Sequence, residues 1–292
     1  MASSRDIRRR IRSVKSTAQI TRAMQMVAAS KMRKAQQAAL AGRPYADAMN
    51  RLLAELLPAC VDFAHPLMER REGGKRCVIL VSTDKGLCGA LNSTLFREAM
   101  KFDKDTTVFI AAGRKAAQFL ARARRPLLAE FSYKDAPLFS EARAISRFAQ
   151  EGFLRGDFDH VDVLFTNFIS TLTQRPEVLP LLPLGEIRGV SADHQGAELA
   201  PQLLKGATEF LFEPSAEHVL GALLPHYLNY RLFQVLLEAK ASEHSARMVA
   251  MKNATENANQ LVKDLTLQYN KMRQAAITKE LLEIATAQMA LA

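Results

Sequence analysis

Residues 226–292 read HYLNYRLFQVLLEAKASEHSARMVAMKNATENANQLVKDLTLQYNKMRQAAITKELLEIATAQMALA. This run of 67 residues holds neither proline nor glycine. As one α-helix, rising ~1.5 Å per residue, it would span on the order of 100 Å. An average helix in a soluble domain has only ~11–12 residues. Helices owe most of their stability to tertiary packing of an apolar face, so an element this long needs cover from another helix or from other proteins. The stretch predicts a structural or mechanical part of an assembly rather than a self-contained enzyme. Its apolar stripe is Met248, Met251, Thr255, Ala258, Val262, Leu265, Tyr269, Met272 and Ala276. The steps alternate three and four, the period of a coiled-coil seam.

A second seam lies at the other end of the chain. Residues 3–41 contain no glycine or proline. Ser3 or Ser4 is suited to cap the start, and Asp6 in the first turn favours the positive end of the helix dipole. Ile7, Ile11, Val14, Ala18, Thr21, Gln25, Ala28, Met32, Ala35 and Ala39 alternate steps of four and three. Large aliphatics give way to Ala, Thr and Gln, which bury little area but let another backbone come close. Gly42-Arg43-Pro44 predicts a break or kink, with helix resuming from Tyr45 and ending near Pro58.

Between the seams the period changes. Pro66 and Gly73-Gly74 mark a linker. Arg76–Ser82, Thr106–Ala112 and His160–Phe168 are short apolar runs suited to strands buried on both faces. Helices are expected to Lys101 after the first run, over 114–124, and over 138–155 behind Pro137. Residues 169–182 predict a hairpin around Gln174-Arg175-Pro176 onto a further strand. Residues 185–206 read as loop, and 208–213 as a last short strand. Pro214 suits the first turn of a helix, and Pro225 predicts a kink in it. Strands alternating with helices give a small α/β, Rossmann-like domain with a mainly parallel sheet. The expected organisation is an N-terminal shaft helix over 1–57, a linker over 58–75, the inserted α/β domain over 76–213, and a C-terminal shaft helix over 214–292. Two distant seams that need mutual cover predict a long antiparallel coiled coil with the domain at one end.

The formal net charge is +10. Residues 1–57 hold twelve basic side chains against three acidic ones, a net of nine positive charges. Such an arm needs an acidic partner: nucleic acid, anionic lipid or an acidic protein surface. The first aromatic is Tyr45, so stacking on bases has no support, though a basic coiled-coil nucleic-acid binder or scaffold stays as the alternative. Cys60, Cys77 and Cys88 form no CxxC and read as free thiols in a reducing compartment. Six scattered histidines give no acid–base or metal constellation. No secretory signal and no membrane-spanning run is expected. Thr83–Asn92 is a strand–glycine–helix turn, which can hold a phosphate, but it is neither GxGxxG nor GxxxxGK[ST]. Met24 and Met26 lie off the seam and suit an adaptable contact with a partner. No charge follows Glu283, and Leu281 and Leu282 precede it. A helix tip apolar nearly all round predicts an enclosing apolar collar on a partner.

Four stretches resemble one family, in order along essentially the whole chain. Ser13–Gln36 (SVKSTAQITRAMQMVAASKMRKAQ) is similar to the N-terminal helix of the γ subunits of F-type ATP synthases. Ser82–Asn92 (STDKGLCGALN) resembles their central motif. Ser242–Asn257 (SEHSARMVAMKNATEN) and Tyr269–Leu281 (YNKMRQAAITKEL), continuing to Ile284, resemble their C-terminal helix. The resemblance implies a non-catalytic rotor shaft with no cofactor, metal or nucleic acid. One copy per complex would sit inside a ring of alternating α and β subunits, above a membrane ring of c subunits and beside an ε subunit. Ion flow, of H⁺ or Na⁺, would turn it to drive ATP synthesis at the β sites, at the cytoplasmic face of a bacterial inner membrane. The same resemblance assigns Met24, Lys31 and Arg33 to acidic β loops, and Arg247 and Gln274 to α/β loops. It places Leu281, Leu282, Ile284, Met289 and Leu291 in an apolar sleeve, and Phe210, Phe212 and Glu213 at the c-ring. The chain departs from the family at Ala18-Gln19, where Gln-Lys is usual, and at Ala285–Gln288, where Ser-Gly-Ala is common. Regulatory paired cysteines of the chloroplast type are absent, and the unextended N-terminus looks bacterial.

Overall fold

A computed structural model describes residues 4–59, 65–71, 73–184, 212–213 and 215–291. The chain divides into two units, one formed by Met1–Ala28 with Arg247–Ala292 and the other by Ala29–Ala246. Helix α1 (Ser4–Ala59) and helix α5 (Ala216–Leu291) each contribute to both. In the second unit the elements between them are a short 3-10 turn (Pro66–Met68), β1 (Arg76–Val81), α2 (Leu91–Ala99), β2 (Thr107–Ala112), α3 (Arg114–Arg122), β3 (Leu127–Phe131), α4 (Phe139–Arg155), β4 (His160–Phe168) and β5 (Gln174–Leu182).

The five strands form one sheet in the order β3-β2-β1-β4-β5. β3, β2, β1 and β4 are parallel, and β5 runs antiparallel at the edge. Alternation along the central strands divides the core. Cys77, Ile79, Val81, Ile110, Ala112, Val161, Val163 and Phe165 face a layer made by α4, Met49–Leu56 of α1 and Leu220–Ala239 of α5. Val78, Leu80, Phe109, Ala111 and Leu164 face α2 and α3. Helices on both faces explain why the central strands are apolar runs rather than alternating ones.

Several expectations on local structure are corrected. β3 was not expected: its residues are mostly exposed at the sheet edge, so LLAEF carries no strong apolar run. The β4–β5 turn occupies 169–173, and Gln174-Arg175-Pro176 opens the strand instead. Pro176 and Pro180 are tolerated there because β5 is an edge. Phe212 and Glu213 are not in a strand, and residues 208–211 of that expectation lie outside the described residues.

α1 does not break at Gly42–Pro44. Pro44 removes one backbone donor, and α5 supplies hydrogen bonds nearby. Tyr230 Oη donates to the Gly42 carbonyl at 2.6 Å, and Gln234 Nε2 donates to the Ala39 carbonyl at 3.3 Å. Gly42 permits this approach, since a Cβ there would lie 2.7 Å from Tyr230 Oη. α5 likewise starts before the proline-free run and passes through Pro225, held on both sides by buried Leu220, Leu224 and Leu228. Ser215 caps it, its Oγ accepting from the His218 N–H at 3.2 Å.

Gly113 joins β2 to α3 at φ 103°, and a Cβ there would meet the Ser82 carbonyl oxygen at 2.4 Å. Gly113→Ala is expected to destabilise the chain by about 2–4 kcal/mol, combining left-handed strain with overpacking. Gly74→Ala, where a Cβ meets nothing within 4 Å, serves as the control and shifts stability by less than about 0.5 kcal/mol. Denaturant unfolding of the two variants checks the contrast.

Candidate functional site

In the first unit the two seams pair antiparallel. Thr21 and Thr255 share a hydroxyl–hydroxyl bond of 2.7 Å. Arg8 donates to the Tyr269 hydroxyl, with its guanidinium 5.2 Å from the ring centroid. A step from Arg8 to Thr21 on α1 is thus matched by a step back from Tyr269 to Thr255 on α5. Every predicted seam residue of α1, from Ile7 to Ala39, is buried or half-buried, and so is every one of α5 from Met248 to Met272. Ala276 is exposed. From Arg273 to Met289 every residue of α5 is exposed. At ~1.5 Å per residue this bare segment is about 25 Å long. Leu281, Leu282 and Ile284 are each 62% exposed, and Met289 is 73%.

Met24 is half-buried beside the seam, while Arg33 and Gln274 are exposed and Arg247 is half-buried. Leu291 is the last residue of α5. Lys31 is engaged within the chain, pairing with Asp135. Phe212 packs partly buried against the sheet core, and Glu213 is exposed. Phe210 lies outside the described residues. Sequence reading missed Ile20 and Val27, both exposed large apolar side chains. With Met24 they form a 4–3 stripe on the face next to the seam, and that second spacing was the available signal.

A second assembly of functional groups gathers at the carboxyl ends of the parallel strands, where doubly wound sheets bind ligands. Much of this edge is filled by the chain itself. At the N-terminus of α3, Asp84 Oδ1 accepts from the Arg114 N–H at 2.9 Å, the Thr83 carbonyl from the Lys115 N–H at 3.1 Å, and Ser82 Oγ from the Ala116 N–H at 2.7 Å. The donors that could hold a phosphate at this helix are therefore committed to residues 82–84. Asn92 Nδ2 donates to Thr83 Oγ1 at 2.8 Å, which ties the glycine turn to α2.

Next to this turn, residues 236–245 of α5 are buried all round, polar ones included. Lys240 is 1% exposed. Its Nζ lies 3.0 Å from Glu243 Oε2, 3.8 Å from Asp135 Oδ1 and 4.4 Å from the centre of the Tyr133 ring. Tyr133 Oη donates to the Ser82 carbonyl at 2.9 Å. Asp135 is held below the usual carboxylate range, first by the hydrogen bond from Lys31 and further by the charge of Lys240. Burial, with the nearby carboxylates of Glu243, Asp84 and Asp135, pushes the Tyr133 phenol well up. Ser245 Oγ donates to the Thr171 carbonyl at 2.8 Å in the β4–β5 turn. Cys77 and Cys88 are buried, and burial followed by the charge of Asp162 pushes the Cys77 thiol pKa up. No described helix is long and apolar enough to cross a membrane.

The geometry has relatives. A family model described as ATP synthase matches residues 3–291. A protein of Opitutus terrae named ATP synthase gamma chain is 50% identical over 294 residues, covering all of both chains. The protein of the same name from Methylacidiphilum infernorum is 46% identical, again over all of both. Among solved structures, a chain from the Euglena gracilis mitochondrial ATP synthase (OSCP/F1/c-ring, rotational state 3) superposes with a TM-score of 0.67 at 17% identity, covering 99% of this chain and 94% of that one. A chain from the rotor of the same complex in rotational state 1 superposes at 0.66 and 18%, covering 94% and 98%. The two structures speak for the fold, and the full-length identity speaks for the family: this chain belongs to the ATP synthase gamma chains.

Proposed function

We propose that the chain is the central rotor shaft of an F-type ATP synthase, and that it couples ion-driven rotation of a c-ring to ATP synthesis at the β subunits. The observation that carries this reading is the bare end of α5. From Arg273 to Met289 no described residue covers it, and no charged side chain follows Glu283. A helix end with exposed leucines and isoleucine and no neighbouring helix gains stability when something encloses it. A collar formed by alternating α and β subunits fits, and the featureless Leu281, Leu282, Ile284, Met289 and Leu291 suit a surface that turns as well as binds. The exposed Ile20 and Val27 with the half-buried Met24, and the basic Lys31, Arg33 and half-buried Arg247, suit contacts with the α and β loops, as does Gln274. Lys31 reaches a partner only by leaving Asp135. Phe210, Phe212 and Glu213 serve the c-ring side, with an ε subunit beside the α/β body.

The mechanism is differential binding. A shaft unequal on its several faces contacts each β subunit differently at each angle, and each contact biases that subunit toward one of its conformations. Turning the shaft exchanges the biases in sequence, and ATP hydrolysis runs the same linkage backwards. The chain contributes no catalytic group: turnover belongs to the β subunits, and the chain is peripheral to the membrane. Placement on the cytoplasmic face of a bacterial inner membrane, and the division into shaft helices (1–57 and 214–292), linker (58–75) and body (76–213), belong to the same proposal.

Two outcomes are expected. Met24→Lys puts a charge into the apolar stripe beside the seam, so the ratio of protons pumped to ATP hydrolysed by the assembled complex falls; an unchanged ratio counts against the assigned contact. Leu282→Glu puts a charge where the collar excludes water, and it weakens association with α and β subunits by about tenfold or more in a binding titration. Undiminished affinity would mean that the tip is not enclosed.

A further inference from the structure

We propose that the buried polar turn 240–245 of α5 is a keyed joint that fixes the rotational setting of α5 and α1 on the α/β body, so that turning the body turns the helices. This rests on the rotor reading above and names the residues through which torque enters the helices.

A lysine is almost never fully buried unless paired. Lys240 is caged by Glu243 at 3.0 Å, Asp135 at 3.8 Å and the Tyr133 ring at 4.4 Å. These groups come from different parts of the body. Glu243 is one turn further along α5. Asp135 and Tyr133 belong to the β3–α4 loop, and Tyr133 is tied to the end of β1 through Ser82. Asp135 also takes Lys31 from α1, so alternating charges run Lys31, Asp135, Lys240, Glu243 across both helices and the loop. A few residues along, Ser245 donates to the Thr171 carbonyl at 2.8 Å in the β4–β5 turn and accepts from Gln174 Nε2 at 3.4 Å at the start of β5. Two loops of the sheet's carboxyl edge therefore grip one stretch of helix.

Greasy packing resists separation but tolerates small rotations, because an apolar contact has no direction. Ion pairs and hydrogen bonds hold only at one angle. Buried ion pairs of this kind give little net stability compared with apolar residues of similar volume, and their best-attested use is to fix register. All the residues of this grip belong to the second unit, Ala29–Ala246. The side chains that set the angle are thus placed just before α5 enters the seam at Met248.

The test uses the assembled, membrane-bound complex. Lys240→Met with Glu243→Leu replaces the pair by apolar groups of similar size. Hydrolysis is expected to stay within about twofold of the unaltered complex, while protons pumped per ATP fall by about threefold or more, since apolar replacement leaves the fold intact and removes the angular constraint. Lys240→Arg keeps the charge and restores the ratio. Asp135→Asn, nearly isosteric on a half-exposed residue, lowers the ratio in the same direction and serves if the double variant does not assemble. An unchanged pumping ratio in the variant that assembles overturns the joint. If the unaltered chain itself supports no coupled pumping, the rotor reading fails instead, and the two failures are distinguishable.

Discussion

A helix of 76 residues has to be covered along its length, and the rest of this structure is the set of covers that α5 finds. Between Leu220 and Ala239 an apolar stripe, Leu220, Leu224, Tyr227, Leu228, Leu232, Val235, Leu236 and Ala239, is buried against one face of the sheet. Residues 240–245 are gripped by polar groups from two loops. Met248 to Met272 are covered by the seam of α1. From Arg273 to Met289 the described residues offer no cover. The change in the chemistry of cover along one element, from apolar core to ionic grip to small-residue seam to bare surface, is what distinguishes this helix from one that merely completes a domain.

The seam is a compromise between closeness and strength. Ala18, Ala28, Ala35 and Ala258 are buried but contribute little apolar area each, at ~25 cal/mol per Å². In return the backbones approach closely enough for Thr21 and Thr255 to bond directly. A slender pair of helices results, its register set by that bond and by the Arg8–Tyr269 contact rather than by large interlocking side chains. Outside the seam Ile20 and Val27 stay exposed, with Met24 half-buried between them.

Periodicity made the seams legible almost residue by residue, because a 4–3 spacing has one geometric meaning on a helix. The buried strands were legible for the same reason: a short unbroken apolar run has few other homes. What failed was local punctuation read without tertiary context. Gly42-Arg43-Pro44 looked like a break, but Tyr230 and Gln234, almost two hundred residues away, donate to the carbonyls around it. β3 was invisible because an exposed edge strand needs no apolar pattern. The cage around Lys240 could not be read, since a lysine in a long helix is ordinarily solvated. Only the fold brings Asp135 and Tyr133 to it. Lys31 is assigned to a partner's acidic loops through resemblance, and in the structure its partly exposed side chain pairs with Asp135.

As a rotor shaft, the chain has the exposed end of α5 enclosed by other subunits. Purification of the tagged chain from its own cell membranes, followed by native mass spectrometry, measures this most directly. The account predicts one copy of the chain held with a ring of alternating α and β subunits, the contact surviving high salt because the tip is apolar. Recovery of the chain alone, or bound to nucleic acid in a complex that dissolves as salt is raised, would contradict it.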